Sequence, residues 1–359
     1  MSAAPGRSQA SSHRSPRGEG CLMNAPNPGF ARPPEQENLG AAVERQRGAA
    51  LLLAMMTVAL VATLAATALW QQWRGVEIES RERERLQASW ILIGALDWAR
   101  LILREDARSG GADHLAEPWS IALQEARLST FLAMDAANTA FADNAFLSGQ
   151  ITDAQARLNI TNLIVGNKVS ERDLQAFERL FELLGLESAE LERLVANLLL
   201  AADSAMPADN TRSVPILPQR VAQLRWLGVS AAALRRLEPF VVILPTRTPV
   251  NINTAPAEVI AARIAGVDLA QAASLVSARA RAPFRTLGDA QKALAASVEA
   301  INPSEVGVAS RFFEVRGRLR LQDTVVLERS LVQRNGMAVT TVWRERSALD
   351  PNDSPALAR

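Results

Sequence analysis

From Ala49 to Trp70 the chain runs 22 residues without a charged side chain, mostly Leu, Ala, Val and Met. At 1.5 Å per residue a helix of that length spans about 33 Å, enough to cross a bilayer. Beyond Val76 the pattern becomes amphipathic. Ile78, Leu86, Trp90, Ile93, Leu96 and Leu101 recur among Glu79, Arg81, Glu82, Arg83, Glu84 and Arg85. No proline interrupts 49–117. The spacing predicts one helix of about 55 residues, half in lipid and half packed on a soluble domain. The Arg/Glu stretch reads as a solvated neck held by i,i+4 pairs, and Asp97, Glu105 and Asp106 as solvated positions on the helix face.

After Gly110-Gly111 the period changes. Phe131–Met134 and Ala145–Asp153 read as strands, the second half-exposed, and Arg157–Ile160 continues them. From Lys168 to about Val298 the pattern predicts short helices joined by tight turns. Ser170 and Asp173 fit a capping box, as do Asp268 and Gln271, and Thr254 is placed to cap a helix with Pro256 in its first turn. Residues 201–218 read as a Pro/Asp/Ser loop. From Arg311 the alternation returns: Phe313, Val315, Gly317, Leu319 and Leu321 against Glu314, Arg316, Arg318 and Arg320. Asn335-Gly336 between two alternating runs predicts a hairpin. Strands on both sides of a helical block predict an α/β domain with a helical domain inserted.

Composition narrows the chemistry. The 359 residues carry 39 Lys+Arg against 38 Asp+Glu, a net charge of +1 that excludes a polybasic nucleic-acid binder on charge alone. One Cys excludes a disulfide scaffold, and two His exclude a multi-histidine metal site. No Gly-x-Ser-x-Gly elbow or Gly-rich phosphate loop occurs, and His114 stands alone in a turn, so catalysis has no carrier. Residues 1–43, rich in Ser, Pro, Gly, Ala and Arg, show no apolar period and read as disordered. Within them Met23 is an alternative start to Met1. The tail 347–359 reads as frayed.

The apolar run admits three readings: a signal anchor, a cleaved secretory signal, or a segment kept whole after a cut upstream of it. Arg45-Gln-Arg-Gly-Ala49 places a basic segment and a glycine before the run, a layout that resembles the type IV prepilin signal. Arg45 and Arg47 also place the N-terminus in the cytoplasm. With that junction, Leu147–Asn162, Leu224–Ser230 and Pro249–Glu258 resemble segments of the K-type minor pseudopilins of type II secretion, in order, over about residues 44–345.

The resemblance implies an α+β, pilin-like fold: a long N-terminal transmembrane and amphipathic helix packed on an antiparallel sheet, plus an inserted all-α domain of SAM-like or helix-hairpin-helix-like type. It divides the chain into a leader and prepilin signal (1–48), the helix (49–103, transmembrane 49–70), a first core part (104–167), the insert (168–298), a second core part (299–346) and a tail (347–359). It implies cleavage by prepilin peptidase between Gly48 and Ala49, with N-methylation of Ala49. It implies a single-pass inner-membrane protein with a periplasmic C-terminal domain, at the tip of the pseudopilus. The partners implied are the I- and J-type minor pseudopilins, the major pseudopilin and the inner-membrane assembly platform. Most pilins carry Glu five residues into the mature chain; here that position is Leu53.

Two sites stay open. The resemblance brings in calcium, for which Asp203 and Asp209 are the candidate ligands and Asn210 a third, against the reading of an ordinary polar loop; calcium takes six to eight oxygens. The rival function is a membrane-anchored helix-hairpin-helix DNA receptor using Arg263, Arg279 and Arg281. There the hairpin Ala265-Gly-Val-Asp268 lacks the second glycine and sets an acid where phosphate would sit, so no nucleic acid is expected.

Overall fold

The computed structural model describes residues 40–131, 144–203, 215–294, 300–321 and 324–349. They fall into two compact units, one ending at Gly75 and one beginning at Val76. Helix α1, Gly40–Ser109, runs 70 residues, longer at both ends than the expected 49–103. Nothing from Gly40 to Gly48 breaks it, because Ala, Val, Glu, Gln and Arg all sustain a helix and a glycine is only a weak breaker. Gly110 stops it at φ 66° while its N–H still reaches the Asp106 carbonyl at 3.2 Å.

In the second unit five antiparallel strands form one sheet in the order β1-β2-β9-β10-β11. They are β1 (Leu123–Arg127), β2 (Ala145–Asp153), β9 (Phe312–Leu321), β10 (Thr324–Asn335) and β11 (Ala338–Leu349). The chain leaves the sheet after β2 and returns at β9, its neighbour, with nine residue pairs in register from Ala145↔Leu321 to Asp153↔Phe313. Helix α1 covers one face. Ala88, Leu92, Leu96, Ala99 and Leu103, spaced three and four apart, bury against Leu147, Ile151, Val315, Leu319 and Val332. Gly149 and Gly317 pair across β2 and β9 under this helix. A Cβ on Gly317 would stand 3.2 Å from Leu92 Cδ2, so glycine lets helix and sheet approach.

Between β2 and β9 lies the helical block. Its helices are α3 (Glu171–Leu183), α4 (Ser188–Ala202), α5 (Ala231–Leu237), α6 (Ala257–Arg263), α7 (Leu269–Arg281) and α8 (Leu287–Ala293), with 3-10 turns between. One apolar core from Leu158 to Val306 holds them. Two-residue strand pairs tie the block together: β3 (Leu158–Asn159) with β6 (Val241–Val242), and β7 (Val250–Asn251) with β8 (Val306–Gly307), both parallel. A tight turn at Gly166-Asn167 joins β4 (Ile164–Val165) to β5 (Lys168–Val169).

Several local expectations give way to tertiary demands. Leu128–Phe131 is a short helix, α2, not the start of a strand, and 132–134 lie outside the described residues. Leu158–Asn159 leaves the large sheet to pair with β6, and Ile160–Leu163 is a 3-10 turn. Asp268 and Gln271 do form a capping box. Ser170 makes no cap bond, because its hydroxyl donates to Asp173 Oδ2 at 2.6 Å. Thr254 likewise does not cap α6; Pro256 stands at that cap. The β10–β11 hairpin turns on Gly336-Met337, since Asn335 pairs with Ala338, and Gly336 takes φ 56° at the first loop position. Strand β11 runs to Leu349, past the expected end of the core at 346.

Candidate functional site

The first candidate region is the apolar half of α1. Its most apolar 18-residue window has a mean hydropathy of 2.4 and buries nothing within the chain. Every residue from Gly48 to Arg83 is exposed. Thr57, Thr63 and Thr67, its only hydroxyls, donate to carbonyls three or four residues earlier, at 2.8–3.0 Å. Backbone and hydroxyl polarity are thus satisfied inside the helix, which is what a hydrocarbon environment requires. Gly48 and Ala49 lie in this helix, and Leu53 is 66% exposed. A Cβ on Gly48 would meet nothing within 4 Å, and its φ is not positive. The fold therefore sets no demand for glycine there, although glycine costs a helix about 1 kcal/mol relative to Ala.

The second region is the outward face of α1 in the Val76–Arg359 unit. At about 100° per residue, Leu86, Trp90, Gly94, Trp98 and Leu101 gather opposite the buried stripe. Leu86 is 61% exposed, Trp90 71%, Trp98 50% and Leu101 45%. A Cβ at Gly94 would meet nothing. Beside this stripe a largely apolar recess of about 370 Å³ opens between Trp98, Ala99 and Ile102 on one side and Pro118, Ile121 and Leu123 on the other. Exposed aromatic and aliphatic residues in a row mark a contact surface.

The third region is the buried polar joint where α1, the sheet and the helical block meet. Asp153, at the end of β2, accepts from Asn251 Nδ2 (2.9 Å), Thr254 Oγ1 (2.6 Å) and Ser310 Oγ (2.6 Å) through Oδ2. Its Oδ1 accepts from the Gln155 N–H at 2.8 Å. Asp113 accepts from the Ser310 N–H at 2.6 Å and pairs with Arg334, which also pairs with Asp106 of α1. Burial raises the Asp153 pKa, and it pushes Asp113 up to about 6 despite the Ser310 and Arg334 contacts. Asn251 and Thr254 supply the helical block's side of the joint, while Asn253 of the same run brackets Phe284, taking its N–H and donating to its carbonyl, both at 2.9 Å.

The reading of Asp106 as solvated is thereby overturned: Arg334 of β10 draws it into the joint, where its side chain is 11% exposed. Asp97 and Glu105 do stay on the exposed surface, each paired with an arginine three residues on. Asp106, Asp113 and Glu117 form a close group of three carboxylates. Arg334 pairs with the first two, and Trp119 Nε1 and the His114 N–H occupy Glu117 Oε2. The joint was not visible in the sequence beforehand, since its members are brought together from positions 106 to 334.

The candidate DNA contacts disperse. Arg263 is 3% exposed and paired with Asp173 and Glu305, and Arg279 is buried with a bond to the Ile252 carbonyl. Burial lowers the Arg279 pKa to about 10. Arg281 alone of the three is exposed. Asp268 occupies the N-terminus of α7, accepting from the Gln271 N–H at 2.7 Å, so a carboxylate already fills the place a phosphate would take. For calcium, Asp203 ends α4 and accepts from Asn167 Nδ2 at 3.1 Å; Asp209 and Asn210 lie outside the described residues.

Family models described as type II secretion system (T2SS), protein K match residues 156–246 and 250–309. Type II secretion system protein K of Klebsiella pneumoniae is 30% identical over 335 residues, covering 84% of this chain and 96% of the relative. Its counterpart in Pseudomonas aeruginosa is 29% identical over 310 residues, 80% of this chain and 89% of the relative. Among solved structures, a chain of the GspK-GspI-GspJ complex from the enterotoxigenic Escherichia coli type 2 secretion system matches with a TM-score of 0.56 and 18% identity. That match covers 74% of this chain and 98% of the other, and shows the same fold.

Proposed function

Because the chain belongs to the type II secretion system protein K family, we propose that it is a minor pseudopilin, an assembly subunit and not an enzyme. Its apolar helix Ala49–Trp70 anchors it once in the inner membrane. Arg45 and Arg47 keep the N-terminus cytoplasmic, and the sheet and helical block stand in the periplasm. Prepilin peptidase cuts between Gly48 and Ala49 and methylates the new amine. The observation that carries this reading is Gly48 itself: a glycine inside a continuous helix, with open space around it. The fold does not need it, and a peptidase subsite does.

Leu53 argues for the tip. A glutamate at that position in other pilins neutralises the amine of a neighbouring subunit. Leu53 leaves an amine above it unpaired in a low-dielectric core, at a cost of several kcal/mol. A terminal subunit has no neighbour to neutralise. The I- and J-type minor pseudopilins then pack on the Leu86–Leu101 face, while the major pseudopilin and the assembly platform lie below. From that position the subunit starts the fibre that moves folded proteins across the outer membrane.

N-terminal sequencing and mass spectrometry of the membrane-extracted protein test the reading. The expected mature chain begins at N-methylated Ala49. An intact leader, or loss of the whole apolar helix, would overturn it.

A further inference from the structure

The helical block holds a knot of arginines that the assembly role does not use. Asp173, 1% exposed, takes Arg263 through Oδ1 and Arg247 through Oδ2, each at 2.7 Å. The second terminal nitrogen of Arg263 lies 3.5 Å from Glu305 Oε2, and its buried Nε has no hydrogen-bond partner among the described residues. Glu305 also serves Asn302 at 3.2 Å and Arg172 at 3.7 Å. Arg179 donates through Nε to the Ala262 carbonyl at 2.8 Å, and no described residue takes its two terminal nitrogens. Four guanidinium groups thus gather around Asp173 and Glu305, with Glu178 close to Arg179. Burial lowers the Arg179 pKa and the Arg263 charge lowers it further, with Glu305 and Glu178 offsetting only part.

Arg172, Arg179 and Arg263 line one concavity of about 240 Å³, with Gln175, Asn302 and Glu305 beside them. Its single carboxylate among the described residues, Glu305, is already engaged. Guanidinium forks match the oxygens of carboxylates and phosphates, and a half-buried cation lacking a counter-charge is costly. We propose that this concavity binds a small oxyanion, a phosphate or a carboxylate group, received by Arg179 and Arg172 and backed by the buried Arg263.

Thermal unfolding of the full chain in detergent, at constant ionic strength, tests the site with inorganic phosphate and with acetate as probes. Phosphate is expected to raise the melting temperature progressively, with the logarithm of its concentration above Kd, as a ligand of the folded state must. The shift should vanish in Arg179→Gln, weaken in the surface variant Arg172→Gln, and persist in Arg281→Gln. Acetate acting equally well assigns the site to carboxylates; phosphate alone assigns it to phosphate groups. Glu299 precedes the concavity's Ala300 and lies outside the described residues. If binding emerges only in Glu299→Gln, the chain's own carboxylate fills the site and the proposal falls. It also falls if neither anion raises the melting temperature at constant ionic strength, or if the shift survives in both Arg179→Gln and Arg172→Gln.

Discussion

Asp113→Asn separates the cost of a buried charge from the worth of its bonds. Asp113 is 3% exposed, and its pKa rises from 3.8 to about 6. A carboxyl whose pKa is raised on folding binds its proton more tightly in the native state, so stability is gained on acidification. The gain is complete below 3.8 and is lost as pH rises through about 6. The span corresponds to about 3 kcal/mol between the two limits. Asparagine mimics the protonated carboxyl but turns an amide NH2 toward one of two donors, the Ser310 N–H or the Arg334 guanidinium. That mismatch costs about 1–3 kcal/mol at any pH. At pH 7.5 the relieved charge offsets the mismatch, and the variant should match the parent or exceed it by up to about 2 kcal/mol. At pH 4.5 the parent has regained about 2 of those roughly 3 kcal/mol, and the variant should be the weaker by up to about 2 kcal/mol. Urea titrations of the full chain in detergent at pH 7.5, 6.5, 5.5 and 4.5 measure the difference. A constant difference across that range, or a variant that loses ground to the parent as pH rises, refutes burial as the dominant effect on Asp113.

Four further outcomes follow from the same packing. Leu92→Ala, at 2% exposure against Gly317, should cost about 2–5 kcal/mol, read as a lowered urea midpoint. Trp90→Arg with Leu101→Arg should leave the melting temperature within a few degrees of the parent but abolish co-purification with the I- and J-type subunits, since both side chains face outward. Glu314, against which burial works but Arg157, Arg329 and Arg316 prevail, is held well below the usual carboxylate range. A depressed carboxyl contributes stability above its unfolded pKa near 4.5, so Glu314→Gln should weaken the fold at pH 7 and progressively less below pH 4.5 in the same titrations. Calcium or chelator should leave the melting temperature unchanged; a rise of several degrees, reversed by chelator and lost in Asp203→Asn, would make the 201–210 loop a metal site.

Legibility followed the range of the interaction. The apolar run, the amphipathic continuation of α1 and the β9–β10–β11 alternation were readable because each is decided by its own period. So was the Asp268–Gln271 capping box, whose partners are three residues apart. The same spacing misled at Ser170 and Asp173. There Arg247 and Arg263, 74 and 90 residues away, claim the carboxylate. Thr254 was drawn from its expected cap by Asp153, 101 residues earlier. Glu314 alternates with Arg316, Arg318 and Arg320 as an outward residue would, yet it is 1% exposed because arginines from three segments close over it. Local pattern specifies a helix or strand; it carries no record of a distant counter-charge.

The joint around Asp153 explains why an inserted block can serve a filament subunit. Neighbouring strands β2 and β9 carry the block's two connections, a narrow base on which a helical domain would otherwise swing. The joint puts Asn251 and Thr254 of the block, Ser310 of the returning chain and Asp153 of the sheet on one carboxylate, and Ser310 hands the linkage on to Asp113, Arg334 and Asp106 of α1. Moving the block would strand a fully buried carboxylate without its donors, at a cost of a few kcal/mol or more. The block is therefore fixed to the helix that bears the exposed Trp90 and Trp98, and a partner gripping that helix also sets the position of the block.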